Sequence, residues 1–110
     1  MNINIKTLSE IEEIIKNESA TLVYFSHEQC NVCKVLKPKI ESLIESEFPL
    51  LKMYYIDTIL TPEISAQFGI FAVPTIIIYF DGNESYRKSR NIGMTELYEL
   101  IERPYQMLFG

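Results

Sequence analysis

The sequence predicts an α/β domain with a mixed central sheet flanked by helices on both faces. Runs of β-prone apolar residues alternate with segments whose apolar residues recur at helical spacing. The first half of this alternation requires parallel crossovers, and a turn between the last two predicted strands adds an antiparallel hairpin. With 110 residues, 47% of them hydrophobic, the chain can bury a core without disulfides. We therefore expect one domain over residues 1–110.

The first predicted elements are an edge strand, an amphipathic helix and a buried strand. Residues 2–6 alternate polar and apolar side chains, which favours a short strand at a sheet edge. Thr7 and Glu10 have the spacing of a capping box, so a helix is expected to begin after Thr7. Residues 21–26 (TLVYFS) form a continuous β-prone run, which is typical of a strand buried on both faces.

A longer helix, a strand and a short helix are predicted next. Apolar residues recur at helical spacing from residue 31 to about residue 47, with Pro38 as the sole interruption. Because proline removes a backbone donor, we expect the helix to bend there. Residues 50–57 predict the next strand, and residues 62–68 predict a short helix with a proline near its first position.

The last third of the chain predicts a hairpin followed by a helix. Residues 75–80 predict a strand, residues 81–83 (DGN) a turn, and residues 85–91 an edge strand antiparallel to its neighbour. The final helix is expected to begin near Thr95 and to be broken by Pro104. We expect the apolar tail after this proline either to fold back on the sheet or to form a contact surface.

The only two cysteines, Cys30 and Cys33, lie where a predicted buried strand gives way to a helix. A sulfur at this joint lies at the positive end of the helix dipole, which favours the thiolate. Cys33 follows one helical turn later and is expected to be more buried, close enough to attack a mixed disulfide formed on Cys30. The spacing therefore favours a redox pair made of an attacking thiol and a resolving thiol.

Two other interpretations of the cysteine pair are open. Both residues can be small apolar side chains of a core. Alternatively, His27 adds a third ligand and gives an H-x-x-C-x-x-C array of the residue types that bind zinc or an iron–sulfur cluster. Three ligands do not close a tetrahedral site, so a metal would require a dimer that shares it. We expect neither a metal nor another cofactor.

Together with the cysteines, residues 66–82 (AQFGIFAVPTIIIYFDG) give a pattern that resembles the thioredoxin family over nearly the whole chain. This segment places Val-Pro-Thr before the fourth strand and a glycine in the turn after it. The resemblance implies that Cys30 and Cys33 are the active-site pair. It also implies that Pro74 is in cis and faces their disulfide.

The loop around Pro74 is expected to form the substrate site. The resemblance implies that Val73 offers its backbone to an extended substrate polypeptide by strand addition. A cis turn brings the backbone of Val73 and Thr75 against the sulfurs and leaves little room for a metal. Phe71 lies in the same loop and is expected to line a substrate groove.

The resemblance implies a thiol–disulfide oxidoreductase that acts on protein or small-molecule disulfides, with a thioredoxin reductase as a partner. Family members usually have Gly-Pro between the cysteines and a Trp before the first one. This chain has Asn31 and Val32 between the cysteines, Gln29 before them, and no Trp. These departures motivate an alternative hypothesis, a non-enzymatic module of the same fold that binds a partner or senses redox state.

Two further positions depart from the family pattern near the second cysteine. Where family members carry a buried aspartate and its lysine partner, this chain has Tyr24 and Met53. The loss of both members avoids a buried charge without a partner. Proton transfer at Cys33 must then use water, Tyr24 or His27. We therefore expect Tyr24 and His27 to tune the pKa values of the pair, with a His27 imidazolium lowering that of Cys30.

Composition excludes several other function classes. The net charge is −5, and the basic residues are scattered apart from Arg87, Lys88 and Arg90, which we expect to form a solvated face. A nucleic-acid partner is therefore not expected. The apolar runs are too short to cross a bilayer, and residues 1–15 lack the features of a secretory signal. We expect a cytoplasmic protein without a membrane partner, present as a monomer or a weak homodimer.

Overall fold

Five strands form one mixed sheet in the computed structural model, which describes residues 3–110. The strands are β1 (Ile3–Asn4), β2 (Ala20–Ser26), β3 (Lys52–Asp57), β4 (Thr75–Phe80) and β5 (Asn83–Ser89). Their order is β1-β3-β2-β4-β5, with β1 and β2 parallel to β3 and with β4 antiparallel to β2 and β5. The predicted mixed sheet and its hairpin are confirmed. Of the predicted first strand, Asn2 lies outside the described residues.

Helices cover both faces of this sheet. They are α1 (Leu8–Asn17), α2 (Asn31–Glu47), α3 (Pro62–Gln67) and α4 (Met94–Phe109). Residues of α2 and α4 share one buried cluster, and residues of α1 and α3 share a second one. The predicted α/β architecture with helices on both faces is therefore confirmed. Within residues 3–110, no helix combines the length and the apolar character needed to span a membrane.

Strand β2 divides its side chains between the two clusters, because successive side chains of a strand point to opposite faces. Leu22 and Tyr24 pack in the cluster of α2 and α4, whereas Val23 and Phe25 pack in the cluster of α1 and α3. All seven residues of β2 are buried. The strand is thus covered on both faces, as its continuous apolar run predicts.

Helix α1 begins as predicted. The hydroxyl oxygen of Thr7 accepts a hydrogen bond from the backbone N–H of Glu10 at 3.2 Å. The carboxylate of Glu10 reaches back to the backbone N–H of Lys6, one residue before the expected partner of a capping box, at 3.1 Å. Two backbone donors at the helix start are therefore satisfied by side chains.

Strand β5 runs over Asn83–Ser89, earlier than the predicted 85–91. The turn before it is tighter than expected, because Asp81 and Gly82 both adopt left-handed conformations with φ of 53° and 79°. Arg90 has φ of 67° and ends the strand. A left-handed residue directs the chain out of the extended conformation that a strand requires.

Pro104 does not break the last helix, so that prediction is wrong. Helix α4 continues through it to Phe109. The proline removes one backbone donor, whose acceptor would be the carbonyl of the exposed Leu100. In return, Tyr105 is buried, and its ring lies 5.1 Å from that of Phe48 and 4.8 Å from that of Phe109. Tyr105, Leu108 and Phe109 of the apolar tail therefore pack on the core as the end of the helix, while Met107 is exposed.

Candidate active site

The cysteines lie at the joint between β2 and α2, and they form a disulfide with a Cα–Cα distance of 5.2 Å. Cys30 is the N-cap residue of α2, and Cys33 lies within its first turn. Cys30 is partly exposed, whereas Cys33 is only 2% exposed. The two sulfurs therefore differ in their access to solvent.

Backbone groups of the first turn surround the Cys30 sulfur. The N–H of Cys33 donates to Cys30 Sγ at 3.1 Å. The N–H of Cys30 donates to the carbonyl of His27 at 3.1 Å, and the N–H of Lys34 donates to the carbonyl of Cys30 at 3.2 Å. No acidic side chain occupies the first turn of α2. The sulfur thus lies at the positive end of a helix dipole that no nearby carboxylate of that turn offsets.

Tyr24 lies in the same buried cluster as Cys33, and its side chain contacts the backbone of that cysteine. Its fully buried hydroxyl donates to the carbonyl oxygen of Cys33 at 2.7 Å. Burial is the main cause that raises the pKa of Tyr24 far above that of an exposed tyrosine, and the neighbouring Tyr55 adds to the rise. Met53 is buried in the same cluster. A neutral phenol and a thioether therefore occupy the positions at which the family resemblance implies a charge pair.

His27 lies just before the cysteines without contacting the sulfurs. Its Nδ1 accepts a hydrogen bond from the backbone N–H of Gln29 at 3.2 Å. Among residues 3–110, no group of three or more His, Cys, Asp or Glu side chains is arranged to hold a metal ion. The array of His27 with the two cysteines is therefore not assembled into a site of that kind.

The loop before β4 contains a cis peptide bond between Val73 and Pro74. Val73 and Cys30 both pack against the buried cluster that includes Cys33. The hydroxyl of Thr75 donates to the carbonyl of Ala72 at 2.6 Å and lies 2.7 Å from the hydroxyl of Ser89. These bonds tie the loop to itself and to the neighbouring strand.

Phe71 is the most exposed member of the predicted site. Its side chain is 96% exposed. Among the described residues, no ring contact joins it to another aromatic side chain. The structure therefore brings Tyr24, Val73 and the two cysteines to one cluster, and it places the side chain of Phe71 in solvent.

Sequence reasoning missed residues that follow β5. Arg90 donates its backbone N–H to the carbonyl of Pro74 at 2.7 Å. Arg90 and Ile92 line a groove of about 440 Å³ together with Asn31 and Val32, the two residues between the cysteines. The basic cluster that includes Arg90 was visible in the sequence, but it predicts only a solvated face. Nothing in the spacing of these residues indicates that Arg90 forms a hydrogen bond with Pro74.

The family model for thioredoxin matches residues 2–103. The chain belongs to the thioredoxin family. The thioredoxin-like protein YdfQ of Bacillus subtilis is 28% identical over 104 residues, which cover 94% of this chain and 92% of the relative. The thioredoxin of Rickettsia bellii is 32% identical over 102 residues, which cover 90% and 91% of the two chains. The solved thioredoxin of Fasciola hepatica is 30% identical with a TM-score of 0.80, covering 94% of this chain and 98% of that one.

Family membership and the disulfide together define the chemistry of this thioredoxin-family protein. Its Cys30–Cys33 pair is present as a disulfide, and its relatives over most of the chain are thioredoxins and a thioredoxin-like protein. The protein is a thiol–disulfide oxidoreductase of thioredoxin fold. The predictions of family, fold and reaction are confirmed.

Proposed function

We propose that Cys30 attacks the substrate disulfide and that Cys33 resolves the mixed disulfide. The observation that supports this assignment is the unequal exposure of the pair, since Cys30 is partly exposed and Cys33 is 2% exposed. A bulky protein disulfide can approach only an accessible sulfur. The buried sulfur is then within reach of Cys30 alone.

The proposed reaction transfers two electrons in two exchange steps. The Cys30 thiolate forms a bond to one substrate sulfur, and the other substrate sulfur leaves as a thiolate that takes a proton. The Cys33 thiolate then attacks Cys30 Sγ, and the second substrate sulfur leaves and is protonated. The substrate disulfide is reduced, and the Cys30–Cys33 disulfide is the oxidised product.

The first turn of α2 supplies the activation of Cys30. In the oxidised protein the N–H of Cys33 donates to Cys30 Sγ at 3.1 Å. The same donor and the helix dipole stabilise a thiolate on Cys30, so the pKa of this thiol is lowered in the reduced protein. Tyr24 contributes by staying neutral, because a buried carboxylate in its place would oppose ionisation of Cys33.

His27 has a positioning role in this proposal. Its ring Nδ1 accepts a hydrogen bond from the N–H of Gln29, and its carbonyl accepts one from the N–H of Cys30. These two bonds hold the segment before the helix in place. Its imidazole tunes the pKa of Cys30 when it is protonated, since a nearby positive charge favours the thiolate.

The proposed substrate site is the loop of Phe71, Val73, Pro74 and Thr75. The partly exposed Val73 offers its backbone to an extended polypeptide, and Phe71 offers an apolar surface in solvent. The bonds made by Thr75 fix the loop against β5, so the loop can bind without first becoming ordered.

The proposal extends to partners and location. We assign the protein to the cytoplasm as a single domain of residues 1–110. Its role there is to maintain the redox balance of the cell. A thioredoxin reductase is its electron donor, and protein disulfides are its substrates. Both of its cysteines belong to the redox pair and none is left for a structural disulfide, which suits a reducing compartment. It needs no cofactor, binds neither nucleic acid nor membrane, and acts as a monomer or a weak homodimer.

Two cysteine variants test the assigned roles. Cys30→Ser is expected to abolish the reduction of insulin disulfides, whereas Cys33→Ser is expected to accumulate mixed disulfides that survive on a non-reducing gel. Ser46→Ala, an exposed position near the far end of α2, is the control and retains wild-type activity. Equal activity of both cysteine variants and the wild type contradicts the proposal.

A further inference from the structure

We propose that the groove beside the disulfide selects substrates that carry acidic residues next to their own disulfide. The groove is the one lined by Asn31, Val32, Val35, Lys39, Arg90 and Ile92, and it is called the cationic groove below. The inference rests on the proposed function, because it names the substrate class of the same site.

The cationic groove lies beside the two cysteines. Asn31 and Val32 line it, and they are the two residues between Cys30 and Cys33. It continues along α2, where the side chains of Val32 and Val35 are 61% and 60% exposed. A polypeptide whose disulfide reaches Cys30 must therefore lay its flanking residues along or beside this surface.

Arg90 is fixed at the edge of the groove by its backbone. Its N–H donates to the carbonyl of Pro74 at 2.7 Å, which ties it to the proposed substrate loop. Its backbone has φ of 67°, a left-handed conformation that residues other than Asn, Asp and Gly rarely adopt. Residues held in such conformations are concentrated at binding and catalytic sites. The residue type at this position is thus better explained by its charge than by its backbone.

The charge of the groove is positive and unneutralised. Its two ionisable lining residues, Lys39 and Arg90, are both exposed cations. Neither forms an ion pair among residues 3–110, in contrast to Arg87 and Lys88, which are paired with glutamates of β5 and α4. Of the residues that line the groove, none carries a carboxylate.

This positive groove contrasts with the rest of the protein. The whole chain has a net charge of −5. Two carboxylates, those of Glu28 and Asp57, line a separate pocket with Asn4 of β1. An acidic segment that enters the cationic groove is therefore attracted by Lys39 and Arg90, and the apolar valines contact the side chains between its charges. The groove fits an acidic polypeptide better than a neutral or basic one.

The test uses three peptides, each cyclised by one disulfide, that differ only in two residues beside one cysteine. These residues are Glu in the first peptide, Gln in the second and Lys in the third. The reduced full-length protein is mixed with each peptide, and the reaction is quenched with acid and alkylating agent. The second-order rate constant of peptide reduction is measured at low and at high salt. The wild type is expected to reduce the Glu peptide about three- to tenfold faster than the Gln peptide at low salt, since two exposed charge pairs each contribute modestly. High salt is expected to remove most of this preference.

Charge-removing variants locate the preference. Arg90→Asn, which suits a left-handed backbone, and Lys39→Gln are each expected to lower the Glu-to-Gln rate ratio, and the double variant brings it to about one. Arg90→Lys keeps the charge and most of the ratio. Lys16→Gln removes a charge from α1, on the opposite face of the sheet, and is the matched control that leaves the ratio unchanged. Urea unfolding confirms that each variant is folded.

The outcomes separate this inference from the proposed function. Equal rates for the three peptides, or a ratio that survives in the double variant, overturn the acidic preference and leave the roles of the cysteines intact. A wild-type protein that reduces none of the peptides overturns the proposed function and, with it, the inference.

Discussion

Removal of the Tyr24 hydroxyl is expected to lower the free energy of unfolding in both redox states by the same amount. The hydroxyl is fully buried and donates to the Cys33 carbonyl at 2.7 Å. Tyr24→Phe keeps the ring, so no large cavity forms, and the lost hydrogen bond costs about 1 kcal/mol. For a domain of this size that is a fall in Tm of about 4 °C.

The reduction potential is expected to stay almost constant in Tyr24→Phe. The partner of the hydroxyl is a backbone carbonyl that remains in place in the oxidised and the reduced protein. If instead the loss of about 1 kcal/mol affected one redox state alone, the potential would shift by roughly 20 mV. The expected shift is therefore well below roughly 20 mV, because the two states lose the same bond.

Urea unfolding of the oxidised and the reduced protein, together with equilibration against a glutathione series, measures both quantities. Tyr98→Phe is the control, because its hydroxyl bonds to Glu102 on an exposed face of α4 and its removal is expected to change stability little. A shift in potential of roughly 20 mV or more in Tyr24→Phe refutes the reasoning, since it requires that the hydroxyl stabilises the oxidised and the reduced protein unequally.

Three further predictions concern acidity, alkaline stability and the last helix. In Cys33→Ser, the alkylation rate of Cys30 is expected to rise with a midpoint below the unperturbed value of about 8.5, and a midpoint at or above it contradicts activation by the helix. Burial raises the pKa of Tyr79 from 10.0 to about 12. The stability that depends on neutral Tyr79 is therefore complete below pH 10 and is lost as the pH rises through 12. Ultraviolet titration of the tyrosines alongside unfolding checks this prediction. Ionisation of Tyr79 near pH 10 in the folded protein contradicts it. Tyr105→Phe removes the hydroxyl that accepts a hydrogen bond from the Leu50 N–H at 3.0 Å, so the free energy of unfolding in urea is expected to fall by about 1 kcal/mol. An unchanged urea midpoint contradicts the view that this bond joins α4 to the loop before β3.

Local patterns were sufficient to predict most of the elements. The continuous apolar run of β2, the helical period of α2 and the capping residues of α1 each act within a few residues of one another. The order of the strands is different, because it depends on which apolar faces meet after the chain has folded back. Pro104 shows the same limit, since its local effect opposes a helix and the burial of Tyr105 overrides it.

The candidate site was predictable at the cysteines and less so around them. The two residues stand out because the chain has no other cysteine. The hydrogen bond from Tyr24 to Cys33 joins a strand to a helix across the core, and a sequence gives no distance of that kind. Arg90 was assigned to a solvated face because a run of basic residues usually lies there, and only the left-handed turn at its backbone brings it to Pro74.

The sheet divides the core so that heat resistance and reactivity can vary separately. The cluster of α1 and α3 contains neither cysteine, while the other cluster contains Cys33 and contacts Cys30. Neither Ile15 nor Ile64 packs in the cluster of the cysteines, so changes of packing at these positions do not contact the sulfurs directly. Lineages that adapt to a new growth temperature can exchange residues in that layer while the electron-transfer chemistry stays as it is, and an engineer can choose the same layer for stabilising substitutions.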